Sequence, residues 1–142
     1  MSKAFVLAPG GGPTHHPWGA RTTTKISGDA TDGQFTLAEH EHPPGFGRPL
    51  HVHTHSCEAV YVLQGEYTFE IEGHVWVAGP GAVQFVPAGI EHRFRVGDSG
   101  GRVIIVFSPP SMTAYYEAVS NLGSLAPEEE QALAAQHDLR LI

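Results

Sequence analysis

The chain has one cysteine, Cys57, and only 8 lysines and arginines against 15 acids. A lone cysteine excludes an intramolecular disulfide and points to a reducing compartment. The net charge of −7 argues against nucleic acid or an anionic membrane surface as partner, because both need clustered cations. Long apolar runs are missing too. Residues 4–8 form an apolar run too short for a signal-peptide core, and no later stretch approaches a membrane span. The expected location is cytoplasmic. Charged residues make up 16% of the 142, and apolar ones 41%, which suits a single domain, 1–142, with one core.

Glycine, proline and histidine are plentiful instead: 17 Gly, 11 Pro and 10 His. Such frequent punctuation favours short strands joined by tight turns over long helices. Residues 1–20 lack periodicity and read as an arm, with His15 and His16 solvated or folded over a barrel mouth. Residues 21–26 read as an edge strand and 35–40 as a strand stopped by Pro43 and Pro44. Further strands are expected at 50–55, 58–63, 67–71, 75–77, 82–86, 91–96 and 103–107. The last is continuously apolar, as in a strand covered on both faces. Beyond Pro110 the spacing of Tyr115, Ala118, Val119 and Leu122 is helical. Pro127 followed by three glutamates reads as a helix start, with the helix running to about residue 139. The expected architecture is all-β: a barrel over 21–107 with one or two short C-terminal α-helices in 111–142, packed on its outside and supplying no ligands.

His51 and His53, two apart on an extended segment, present both imidazoles to one side. Glu58 has the opposite parity, so a bend or bulge at Ser56 and Cys57 is required to bring its carboxylate back. His92 opens a later strand in phase with Phe94 and Val96 and therefore points inward. Three imidazoles and one carboxylate, if they converge, make a site for a divalent transition metal with positions left open. His40 and His42 form a second H-x-H, but prolines follow at once and no carboxylate lies at the matching distance, so they are read as non-ligands. His55 admits three roles: a base behind the ligands, an alternate ligand, or a solvated loop residue, the last preferred. Cys57 is turned away by parity and reads as a small packing residue.

Gly45, His51, His53, Glu58 and Gly65 follow G-x5-H-x-H-x4-E-x6-G, and Gly81, Pro87, Gly89 and His92 follow G-x5-P-x-G-x2-H. In these two patterns the chain resembles the cupins, and its segments around residues 50–73 look like the subgroup labelled quercetin-dioxygenase-like. Val96 stands where the second pattern often has Asn. The resemblance implies a double-stranded β-helix, or jelly-roll cupin barrel. It also implies a homodimer, and a metal between the sheets on His51, His53, Glu58 and His92.

These ligands favour Fe(II) and also accept Mn, Ni, Co, Cu or Zn. The expected function is a metal-dependent oxidoreductase: a dioxygenase acting with O2 on a small hydrophobic or aromatic molecule, with Glu58 as catalytic base. The pocket wall is expected from strands carrying Tyr61, Tyr67, Phe69, Trp76, Phe85 and Phe94. The alternatives are a metal-assisted isomerase, lyase or cyclase, or a non-catalytic ligand-binding module. A phosphosugar substrate is disfavoured by the scarcity of basic residues, since Arg93 and Arg95 face outward.

Overall fold

The computed structural model describes residues 2–142. Eleven strands form two antiparallel sheets that face one another. The larger contains, in spatial order, β1 (Thr14–His15), β2 (Arg21–Ile26), β3 (Thr36–His42), β10 (Gly101–Ser108), β5 (Cys57–Gln64) and β8 (Val83–Val86). The smaller contains β11 (Leu139–Leu141), β4 (His51–His53), β9 (His92–Val96), β6 (Tyr67–Ile71) and β7 (His74–Ala78). This is the barrel that the strand spacing predicts, in the jelly-roll form that the resemblance implies.

The core follows from period-two alternation. In β5, Val60 and Val62 point inward with Glu58, while Tyr61 points out. In β10, Val103, Ile105 and Phe107 are buried, and Ile104 and Val106 are half-buried on the outer face. Tyr67 and Phe69 of β6 and Val96 of β9 meet them from the other sheet. The turn between β5 and β6 demands glycine: Gly65 has φ +89°, and a Cβ there would lie 2.4 Å from the Gly100 carbonyl oxygen.

Three features depart from the sequence expectations. Residues 1–20 are not all arm, because β1 pairs with β2 and a 3-10 turn spans Pro17–Gly19. The edge is therefore β1, and β2 lies one strand inside it. The C-terminal segment forms α1 (Thr113–Leu122) and α2 (Pro127–Ala135), but it does not stay helical to 139. Asp138 turns the chain with φ +64°, and Leu139–Leu141 joins β4 as a new edge strand. The alternation Leu139, Arg140, Leu141 carries that strand signal, but three residues are too few to stand out. Nor do the helices merely coat the barrel, since α1 brings Tyr115 and Tyr116 to the barrel mouth against Trp18, with ring centroids 5.7 and 6.2 Å apart.

Candidate metal centre

His51 and His53 leave β4 on one side, and His92 of the neighbouring β9 pairs directly with His51. Glu58 arrives from the opposite sheet, on β5, which continues from β4 through the irregular residues 54–56. The predicted bend is therefore larger than a bulge. The chain crosses from one sheet to the other, so strand parity no longer governs which way Glu58 faces. One atom from each of His51, His53, Glu58 and His92 lies within 4.8 Å of the others. Glu58 Oε2 is 3.1 Å from His53 Nε2, and Oε1 is 3.7 Å from His92 Nε2.

The outward nitrogens are anchored. His51 Nδ1 donates to the Pro49 carbonyl at 2.8 Å, and His92 Nδ1 donates to the Ile90 carbonyl at 2.9 Å. Each bond places the proton on Nδ1 and leaves the Nε2 lone pair facing the cluster. Inside, His53 Nε2, His92 Nε2 and Glu58 Oε1 are buried with no directed hydrogen bond. Several unpaired lone pairs facing one another in an interior are costly, and a shared cation removes the cost. Nitrogen and oxygen ligands at ~2.0–2.2 Å from an ion sit about 3–4 Å apart, which is the spacing of the Glu58 oxygens from His53 and His92. The residues fit a divalent metal.

The charges agree with that fit. Burial pushes His51 down to about 4, helped by the neighbouring His92 and His53. Burial works to raise Glu58, but the His53 and His92 rings outweigh it and hold the carboxyl well below its usual range. Burial works to lower His92, yet Glu58 wins and raises it. At neutral pH the cluster thus offers an ionised carboxylate beside a neutral imidazole.

His51, His53 and Glu58 of this cluster line a cavity whose apolar wall includes Trp18, Phe46, Phe94, Ile105, Met112 and Tyr116. It leaves about 50 Å³ open to the centre of a water molecule. Of the six aromatic residues expected in the wall, only Phe94 is there. Tyr67 and Phe69 are core residues, and Tyr61, Trp76 and Phe85 are exposed on the outside. The wall instead draws on the arm, the loop after β3 and α1, none of which has the alternation that reveals a facing.

Arg48, which the sequence did not place in the wall, also lines the cavity, but it is paired with Glu130 of α2 and stacked 3.7 Å from the Trp18 ring centroid. His40 and His42 lie outside the four-residue cluster yet line the same cavity, on the inward parity of β3. His55 is exposed and bound to Asp138, away from the cavity, as the solvated reading has it. Cys57 is half-buried and is not in the cluster.

The family model described as "Cupin domain" matches residues 38–107. The chain is 30% identical to quercetin 2,3-dioxygenase of Bacillus subtilis (strain 168), over 72% of this chain and 31% of that one. It is 32% identical to the polyketide synthase CurC of Streptomyces cyaneus, over 61% of this chain and 55% of that one. It therefore spans about a third and about half of the curated relatives it matches. An RmlC-like cupin from Shewanella frigidimarina NCIMB 400 shares the fold with a TM-score of 0.66 at 19% identity, covering 81% of this chain and 99% of that one. With both motifs in place and two such sheets around them, the chain belongs to the cupin superfamily.

Proposed function

We propose that this cupin is a metal-dependent oxygenase of a small hydrophobic or aromatic molecule, with His51, His53, Glu58 and His92 holding the ion. The observation that carries the reading is a buried cluster of unpaired nitrogen and oxygen lone pairs beside a mainly apolar cavity. A bound Fe(II) or similar ion would acidify a substrate hydroxyl or enol and accept O2 beside it. The chain's own residues supply the rest. Glu58, ionised at neutral pH, is placed to take the hydroxyl proton on Oε1, the oxygen farther from its histidine. Apolar and aromatic residues around the cluster exclude water and favour a flat, uncharged substrate. Arg48 offers no free charge for a phosphate, since Glu130 occupies it.

The likeness to a quercetin 2,3-dioxygenase supports this class. The likeness to a polyketide synthase protein supports a second reading, an oxygen-independent cyclase in which the same ion polarises a carbonyl. Oxygen uptake separates them: metal-free protein loaded with Fe(II) should consume O2 with some member of a flavonol and 1,3-diketone panel. Conversion of panel members without O2 uptake would favour the cyclase.

Among the described residues no helix is long and apolar enough to cross a membrane. The reading places the protein in the cytoplasm as a homodimer. Support for the dimer lies in apolar side chains exposed at two strand edges, with Val75, Trp76 and Val77 on β7 and Val83 and Phe85 on β8.

A further inference from the structure

His40 is buried on the inner face of β3, lines the cavity of the metal cluster, and is used by nothing described so far. Its Nε2 is buried and makes no hydrogen bond among the described residues. An unpartnered imidazole nitrogen in an interior is costly, and a phenylalanine would fill the same space without that cost. Nδ1 lies 3.4 Å from Thr22 Oγ1, a hydroxyl able to donate to it; that pairing puts the proton of the neutral ring on Nε2, the tautomer this inference uses. Burial keeps the ring neutral by pushing it down to about 4, although the Glu58 carboxylate is near enough to work against the shift. The Tyr116 ring closes one side of the imidazole edge-on, 5.3 Å away between centroids.

We propose that His40 is a substrate-positioning residue whose Nε2–H donates to an acceptor oxygen of the substrate remote from the oxygen held at the four-residue cluster. The inference rests on reading that cluster as a metal centre. It narrows the substrate class to molecules with a phenol or enol hydroxyl at one end and a carbonyl at the other, joined by a flat apolar frame.

A matched pair of probes tests the assignment. 4-Hydroxyacetophenone and 4-ethylphenol have nearly the same shape, but only the first has the remote carbonyl. Their affinities are measured by calorimetry on zinc-loaded protein, in which no oxygen chemistry runs, for the unaltered chain, His40→Phe, His40→Gln and Thr22→Val. The preference for 4-hydroxyacetophenone over 4-ethylphenol should fall roughly tenfold in His40→Phe, the worth of one buried hydrogen bond. His40→Gln, which keeps an N–H donor, should retain part of the preference. Thr22→Val, which frees the tautomer without altering shape, should lower it by less and serves if His40→Phe does not fold. Zinc content should be equal in all four proteins. An unchanged preference in His40→Phe or, should that variant not fold, in Thr22→Val, with zinc-dependent binding of both probes, would overturn the role of His40 and leave the metal centre standing. Absence of zinc-dependent binding of either probe to the unaltered chain would overturn the metal-centre reading and this inference with it.

Discussion

His53 and Glu58 are five residues apart in the chain, belong to opposite sheets, and meet with Nε2 and Oε2 3.1 Å apart. The crossover between β4 and β5 is what turns a local sequence motif into a site that spans the barrel. Because Glu58 contributes the only negative charge of the cluster, Glu58→Gln should separate binding from chemistry. Three imidazoles still hold a divalent ion, so metal affinity should fall by about tenfold, no more than the loss of a group behind the ligands costs. Turnover should fall by at least about 10²-fold, as expected for loss of a general base. Metal analysis together with a rate measurement reads both, and equal losses in the two would contradict a separate proton-handling role.

The contrast between this site and its cavity shows what a sequence carries. His51, His53, Glu58 and His92, which lie on β4, β5 and β9, were legible because each stands at a fixed spacing from the glycines and proline of two short motifs. The inward faces of β5 and β6 were legible from their alternation, whereas β10, apolar throughout, showed no facing until the structure placed Val103, Ile105 and Phe107 inside. Trp18, Arg48, Tyr115 and Tyr116 were not, because they reach the cavity from an arm, a loop and a helix whose positions depend on long-range packing. His40 and His42 fall between the two. Their H-x-H spacing was readable, but with prolines following and no nearby carboxylate they looked unrelated to the site, and only the structure shows them buried on β3.

The mouth of the cavity offers a second prediction. Arg48 pairs with Glu130, and Tyr115 Oη donates to the same carboxylate at 3.4 Å. Both charged side chains are about four-fifths buried, at 21% and 17% exposure. Glu130→Gln should therefore cost about 1–3 kcal/mol, lowering Tm by several degrees, and should speed ligand entry by loosening α2 from the loop that carries Arg48. Stopped-flow binding of 4-hydroxyacetophenone measures the rate, and a slower entry would contradict the placement of this pair at the mouth.

Acid should weaken the fold through the buried histidines. Burial holds His40 at about 4 and His42 at about 3, the latter also beside His40. In the unfolded chain both titrate near 6.5. Between those values the unfolded chain binds protons that the native one excludes, so stability present above pH ~6.5 is lost as pH falls. Each histidine should contribute on the order of 2 kcal/mol to the loss between pH 7 and pH 5. Urea unfolding at both pH values checks this, and His42→Phe should shrink the difference. Asp138 acts in a lower window. Burial works to raise it, but hydrogen bonds from Thr54, His55 and Ser56 hold it at about 2, so its contribution is present above pH ~4 and is lost as pH falls through 2.

Assembly gives a fourth test. If β7 and β8 meet a second copy, Trp76→Glu or Phe85→Glu should convert the dimer to monomer without unfolding it. Sedimentation velocity at micromolar concentration reads the change. A monomer in the unaltered protein would contradict the dimer.

Metal content per folded molecule tests the central claim most directly. Each variant is expressed in medium supplemented with iron and zinc, shown to be folded by circular dichroism, and analysed for metals. His51→Ala and His92→Ala should fold, because the core of Val60, Val62, Phe69, Val103 and Ile105 does not involve them, and should lose nearly all bound metal. His55→Ala, exposed and bound only to neighbours outside the cluster, should retain a full complement. Normal metal in His51→Ala or His92→Ala, or loss of metal in His55→Ala, would contradict the assignment of the four-residue cluster as the metal centre.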